Sequence, residues 1–219
     1  MNIPVYIEQG SKRTFASARD WPGWSRGGRD EPSALQALLD YASRYATAIR
    51  SARVDFEKPA RFSEFMVLEK LKGDTTTDFG SPGRIPAGDA AAVGDEELRR
   101  LEKILKAGWR TFDAAVKSAK GKTLQTGPRG GGRDLDKIVR HVLEAQHAYV
   151  RKLGWPVAPE WGSPGEAWKD TWKGLSASAH GELPAQGPRG GVYWPARYFV
   201  RRAAWHILDH AWEIEDRLA

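Results

Sequence analysis

Residues 195–218 read PARYFVRRAAWHILDHAWEIEDRL, and the spacing of apolar residues in this segment predicts an α-helix. At about 100° per residue, His206 and His210 fall within about 40° of each other on that helix. Aromatic residues flank the two histidines on one side and aliphatic residues flank them on the other. The opposite face, expected to meet solvent, holds Arg197, Arg201, Ala204 and Glu215. The pattern therefore predicts that both imidazoles point into the interior of the protein.

Two buried imidazoles one helical turn apart need a partner for their lone pairs. A divalent metal supplies one, and histidines at i and i+4 bind a single ion from one helix. The alternative is a pair of core histidines that are hydrogen-bonded to their neighbours. The chain contains no cysteine, so any transition-metal site must use His, Asp or Glu.

A third ligand is expected from a helix predicted over about residues 134–153. His141 and His147 lie on opposite edges of its apolar face, so periodicity leaves both open as candidates. His180 belongs to a probable loop sequence and is the weakest candidate.

Two other metal motifs are incomplete. Glu144-Ala145-Gln146-His147 has the E-x-x-H spacing of di-iron bundles, but the sequence offers no second copy. His206-Ile207-Leu208-Asp209-His210 has the spacing of inverted zinc proteases, but aspartate is shorter than the glutamate that those enzymes use as a general base. The three-histidine interpretation is therefore preferred.

The remaining patterns predict an α+β fold. Short strands over 3–8 and 13–18, a helix that begins after Asp30 and reaches Ile49, and a strand over 65–71 suggest a small β-β-α-β unit in residues 1–72. Residues 73–94 show no period and are interpreted as a linker or a lid. Residues 95–219 are predicted to form a four-helix up-down bundle, with helices that begin near these positions: 95, 134, 164 and 195.

The charge and hydropathy of the chain limit the kinds of molecule that it is expected to bind. The formal net charge is +6, but it is spread along the chain without a block of like charges, so nucleic-acid binding is unlikely by this criterion. No apolar run approaches the roughly 18 residues of a membrane span, and the first nine residues do not resemble a signal peptide. We therefore expect a cytoplasmic protein with a small-molecule substrate, and a homodimer is one candidate assembly.

Charged residues near the histidines suggest further roles. Gly127-Pro128-Arg129-Gly130-Gly131 recurs as residues 187–191, so Arg129 and Arg189 are candidate ligands for a substrate carboxylate or phosphate; the alternative is two similar turns. Glu213 could orient His210 or act as a general base, or it could form a salt bridge with Arg217. Arg202 is expected to be an exposed or ion-paired helix residue.

Residues 95–219 resemble the DinB/YfiT-like superfamily of metal-dependent enzymes. The resemblance is carried by Arg140-His141-Val142-Leu143-Glu144 and by Trp205-His206-Ile207-Leu208-Asp209-His210. It implies a four-helix bundle that binds a divalent metal through His141, His206 and His210, and so favours His141 over His147. It also implies a low-molecular-weight thiol as a cosubstrate. Residues 209–212 depart from the H-H-x-G-Q ending of many members, so no particular substrate is implied.

Residues 3–49 resemble part of a HicB-type antitoxin domain. Phe15-Ala16-Ser17-Ala18-Arg19-Asp20-Trp21-Pro22-Gly23-Trp24 is similar to its strand and its D-x-P-G corner, and residues 27–37 are similar to its helix. This resemblance implies a fold and does not imply an antitoxin.

Together these patterns predict an enzyme that uses zinc, nickel or iron. Three histidines with open positions are typical of a catalytic site, where the metal activates a water or thiol for transfer, isomerisation or hydrolysis of a small anionic substrate. The alternative is a non-catalytic module that binds a ligand or partner through its many tryptophans, with a structural or vestigial metal.

Overall fold

A computed structural model of the protein describes residues 2–127, 132–161 and 163–218. These residues form four strands and seven α-helices, which confirms the predicted α+β class. The strands are β1 (Ile3–Gln9), β2 (Thr14–Ala18), β3 (Ser25–Gly28) and β4 (Phe65–Lys72).

The strands make one sheet in the order β3-β2-β1-β4. β2 runs antiparallel to β1 and to β3, and β4 lies parallel to β1 at the edge of the sheet. The predicted β-β-α-β order omitted β3, because Ser25-Arg26-Gly27-Gly28 has no alternation of apolar and polar residues. Gly27 fits here because its missing Cβ would lie 3.2 Å from the ring of Phe15 on the neighbouring strand.

Two helices replace the single helix predicted after Asp30. They are α1 (Glu31–Asp40) and α2 (Ala42–Ile49), separated at Tyr41. Asp30 caps α1 as expected, because its carboxylate accepts a hydrogen bond from the backbone of Ser33 at 2.9 Å. Both helices pack on one face of the sheet around Trp24, which is 1% exposed.

The segment 73–94 is packed against the rest of the protein. It contains α3 (Thr75–Phe79) and a 3-10 turn over Ala87–Ala90. The fully buried carboxylate of Glu8 accepts hydrogen bonds from Thr77 Oγ1 and from the backbone nitrogens of Gly83 and Arg84 at 2.5–3.0 Å. This anchor ties the segment to β1, while the division of the chain into domains at residues 72 and 94 stays a prediction.

Four long helices follow and share a second core. They are α4 (Asp95–Ala119), α5 (Leu135–Lys152), α6 (Pro164–Ala179) and α7 (Ala196–Leu218). Gly94 is the N-cap of α4, and Asp95 in the first turn pairs with His180 at 3.1 Å. Among the described residues, none of the helices combines the length and the apolar character that crossing a bilayer requires.

The helices run up-down-down-up, so the predicted up-down order is wrong. Arg197 of α7 pairs with Glu97, which places the first residues of α4 and α7 at the same end. The backbone nitrogen of Trp194, just before α7, donates to the carbonyl of Lys152, the last residue of α5, at 2.7 Å. Helix α5 therefore runs antiparallel to α4 and α7.

Helices α5 and α6 are parallel neighbours. Gln146 donates to Thr171 at 3.1 Å, and Leu153 lies further along beside Gly174. The connection over 153–163 can span about 35 Å, which is enough to return along the whole of α6. A connection of this length allows α6 to run either parallel or antiparallel to α5, so the positions of the helices along the sequence do not fix its direction.

Helix α7 joins the two cores. Its Leu208 and Trp212 lie in the core between α1, α2 and the sheet, whereas Phe199 and Ile207 lie in the core shared by the long helices. On the other face of the sheet, Trp205 packs against Phe15 with ring centroids 6.2 Å apart. The helix that carries the histidine pair is therefore held from several sides.

Candidate metal centre

The histidine pair of α7 is buried, as its spacing predicts. His206 is 8% exposed and His210 is 7% exposed. His141 projects from the antiparallel α5 to meet them, and one ring nitrogen from each of the three lies within 4.8 Å of the other two. The structure thus brings together the three histidines that the family resemblance implies.

The distances between the rings suit a single ion. The Nε2 atoms of His141 and His206 are 3.2 Å apart, and the centroids of the three rings lie 4.6–5.0 Å from one another. Two histidine ligands with bonds of about 2.0–2.1 Å at a tetrahedral angle have nitrogens about 3.3 Å apart. The cluster could therefore hold a divalent ion, and the His141–His206 pair already has the spacing of two ligands of one ion.

Two other candidate ligands, His147 and Asp209, have partners outside the cluster. His147 lies against the backbone carbonyl of Ala158 at 2.8 Å and packs on Trp161, away from the cluster. Asp209 forms an ion pair with Arg26 at 3.0 Å. The structure places neither His147 nor Asp209 in the cluster, so it gives no support to the E-x-x-H and inverted-protease alternatives.

Glu213 orients one of the three imidazoles. Its Oε2 lies 2.7 Å from Nδ1 of His210, and its Oε1 accepts a hydrogen bond from Arg217 at 2.8 Å. Arg217 is 5% exposed and also donates to the backbone carbonyls of Gln125 and Arg133. Nδ1 of His210 is thereby engaged, and Nε2 is the nitrogen left for a metal.

Burial and positive charge keep two of the imidazoles neutral. Burial lowers the pKa of His206 well below its usual value, and the positive charges of His210 and Arg202 lower it further. Burial and His210 also lower the pKa of His141. The hydrogen bond from His210, followed by Arg217, lowers the pKa of Glu213, which stays ionised. Neutral imidazoles are the form that binds metals, so His141 and His206 are in the metal-binding form at neutral pH.

Replacement of Glu213 separates its two predicted roles. We expect Glu213→Ala to weaken metal affinity by about 10- to 100-fold, because His210 loses the acceptor that fixes its ring. Glu213→Gln should retain more of the affinity, since an amide oxygen can still accept from Nδ1. Affinity is measured by competition with a chromogenic chelator, on protein whose folding has been checked by circular dichroism.

The matched control is Glu215→Ala on the exposed face of α7, which should leave metal affinity unchanged. If Glu213→Gln keeps full metal affinity and loses only turnover, the carboxylate acts as a general base and not as an orienting group.

Three aromatic side chains pack in a row next to the histidine cluster. Tyr149 packs on His206 with ring centroids 5.7 Å apart, and Trp194 lies between Tyr149 and Tyr198. These rings exclude water from one side of His206.

Arg202 was expected to be exposed or ion-paired, and it is neither among the described residues. It is half-buried, and it forms no ion pair with any residue in the described part of the chain. Its guanidinium lies 4.8 Å from the ring centroid of Trp205 and 5.5 Å from that of Tyr149. Its position at i−4 from His206 was the available signal, since both residues occupy one stripe of α7.

The two loop arginines do not add to the described site. Arg129 lies outside the described residues. Arg189 is exposed on a turn closed by a hydrogen bond from Gly187 to Gly191, next to the far end of α5. That end is about 16 Å along the helix from His141. A substrate role for Arg129 and Arg189 stays a prediction.

Comparison with known proteins adds no further constraint. The chain matches no protein-family model, no curated protein and no solved structure. The function is therefore argued from the geometry of the histidine cluster.

Proposed function

We propose that the protein is a metal-dependent enzyme of the DinB/YfiT-like type, with His141, His206 and His210 as the ligands of one divalent ion. The observation that carries this proposal is the convergence of three imidazoles from two antiparallel helices, with two Nε2 atoms 3.2 Å apart. A structural site would use four protein ligands, whereas three leave positions open for a substrate.

The proposed fold is the four-helix bundle of that superfamily, preceded by a HicB-like unit. It is supported by the apolar core that α4, α5, α6 and α7 share. The bundle places the metal ligands in its interior on facing helices, which is the usual position of such sites.

The donor set fits zinc, nickel or iron(II). Imidazole nitrogen suits all three ions, and the absence of thiolate and carboxylate in the cluster disfavours none of them. When bound, such an ion lowers the pKa of a coordinated water or thiol and polarises a substrate oxygen.

The residues of the chain prepare the site for that chemistry. Glu213 holds His210 in one orientation, and Arg217 holds Glu213 in turn. Tyr149 and Trp194 shield His206 from water, which strengthens the electrostatic interactions inside the site. We propose a low-molecular-weight thiol as the cosubstrate and a small anion as the substrate, for transfer, isomerisation or hydrolysis.

Metal stoichiometry tests the proposal. Purified protein is stripped with a chelator, loaded separately with zinc, nickel and iron(II), dialysed and measured by plasma mass spectrometry. We expect about one equivalent of at least one metal, followed by thiol-dependent turnover in assays with small electrophiles. Protein that stays empty with all three ions would refute the enzyme and leave the histidines as core residues of a binding module.

A further inference from the structure

A guanidinium without a counter-ion lies beside the histidine cluster. Nη1 of Arg202 is buried and has no hydrogen-bond partner among the described residues. The two buried arginines of α7 are paired: Arg201 contacts Asp89 at 2.7 Å, and Arg217 contacts Glu213 at 2.8 Å. Desolvation of a charged donor is costly without an acceptor, so Arg202 is the exception that requires an explanation.

The surroundings of Arg202 fix the position of its charge. Trp205 and Tyr149 hold the guanidinium through cation–π contacts at 4.8 Å and 5.5 Å. The ring of Tyr149 also packs on His206, at 5.7 Å between centroids. The ring of Tyr149 thus contacts both the guanidinium of Arg202 and the proposed metal ligand His206, so one aromatic side chain connects the two groups.

The charge balance beside the histidine cluster favours an anion. Imidazole ligands would not offset the charge of a divalent ion, and the guanidinium of Arg202 adds another positive charge against the same Tyr149 ring. Glu213 is the carboxylate that touches the cluster, and Arg217 already neutralises it. An oxyanion bound at Arg202 would relieve this repulsion and satisfy the free Nη1.

We propose that Arg202 binds an oxyanion of the substrate, a carboxylate or a phosphate, while another group of the same molecule reaches the metal held by His141, His206 and His210. This inference rests on the proposed metal-dependent function and names the substrate class. The substrate is then a small molecule with a metal-binding atom at one end and an oxyanion at the other.

A matched pair of thiols tests the role of Arg202. Metal-loaded wild type and Arg202→Gln are titrated with 3-mercaptopropionate and with its neutral amide, 3-mercaptopropionamide, by isothermal titration calorimetry. We expect wild type to bind the acid about 10-fold or more tightly than the amide, since a hydrogen bond to a charged group contributes about 1.5–3 kcal/mol. Arg202→Gln should bind both thiols equally and retain its metal, and Arg202→Lys should restore part of the preference.

Equal affinity of wild type for the acid and the amide would overturn the inference while leaving the metal site intact. If no metal binds at all, the proposed metal-dependent function is refuted. The role of Arg202 can then still be tested with the metal-free protein. Inorganic phosphate and acetate are then titrated against tryptophan fluorescence, where Trp205 reports on its neighbour. Binding by wild type and not by Arg202→Gln supports the inference and shows which oxyanion is preferred, whereas equal responses refute it.

Discussion

Replacement of His206 by alanine is expected to abolish stable metal binding. His206 contacts both His141 and His210, and its loss leaves two ligands on different helices. Disturbance of an outer partner alone weakens a metal by about 10- to 100-fold, and loss of a direct ligand should cost more than about 100-fold. The measurement is the metal content of dialysed protein, with affinity determined by chelator competition.

His147→Ala is the matched control, because His147 is a histidine on the same helix as His141 but contacts Ala158 and Trp161 instead. This variant should keep about one equivalent of metal. If His206→Ala retains as much metal as the wild type, the histidine cluster is not the metal site. Loss of metal from His147→Ala alone would restore His147 as the third ligand.

Replacement of Arg201 by methionine is expected to destabilise the protein by about 3–5 kcal/mol. Its guanidinium forms a bidentate ion pair with Asp89, which is 2% exposed, and it also donates to the backbone carbonyls of Ala18 and Arg19. The substitution leaves the carboxylate of Asp89 buried without a partner. Urea unfolding followed by tryptophan fluorescence measures the loss.

The double variant Arg201→Met/Asp89→Leu separates the ion pair from packing. It should be more stable than Arg201→Met alone, because no unpaired charge remains in the interior. Arg19→Met provides an exposed control, since Arg19 pairs with Asp20 at the surface and such pairs contribute about 0–1 kcal/mol. If Arg201→Met unfolds no more easily than Arg19→Met, the buried pair is not a stabilising contact of the fold.

The histidine cluster was largely predictable because two of its three residues follow helical periodicity. The i, i+4 spacing of His206 and His210 placed both on one face, and the apolar flanks indicated that this face was buried. Periodicity could not separate His141 from His147, because both lie at an edge of the apolar face of α5. The difference lies in tertiary contacts, since α7 faces one edge and the loop at Ala158 faces the other.

Features that depend on tertiary pairing were not predictable in the same way. Strand β3 is specified by its register with β2 and by the close approach of Gly27 to Phe15, and not by an alternating pattern of its own. Residues 73–94 show no periodic pattern of apolar residues. Their position depends instead on polar contacts with Glu8 of β1 and with arginines of α7. Arg202 looked like a surface charge because the two rings that cover it include Tyr149, which comes from another helix.

The position of α7 in both cores has a consequence for folding during synthesis. Leu208 and Trp212 complete the core beside the sheet, yet they are synthesised long after the last strand of that sheet, β4. Until α7 has been synthesised, the N-terminal unit exposes part of its apolar surface to water. Chains in this state bind chaperones and tend to aggregate. Parallel pairing of β1 with β4 adds contacts between distant residues, which also slow folding. A chain truncated before α7 should therefore be insoluble, even though it retains every strand of the sheet.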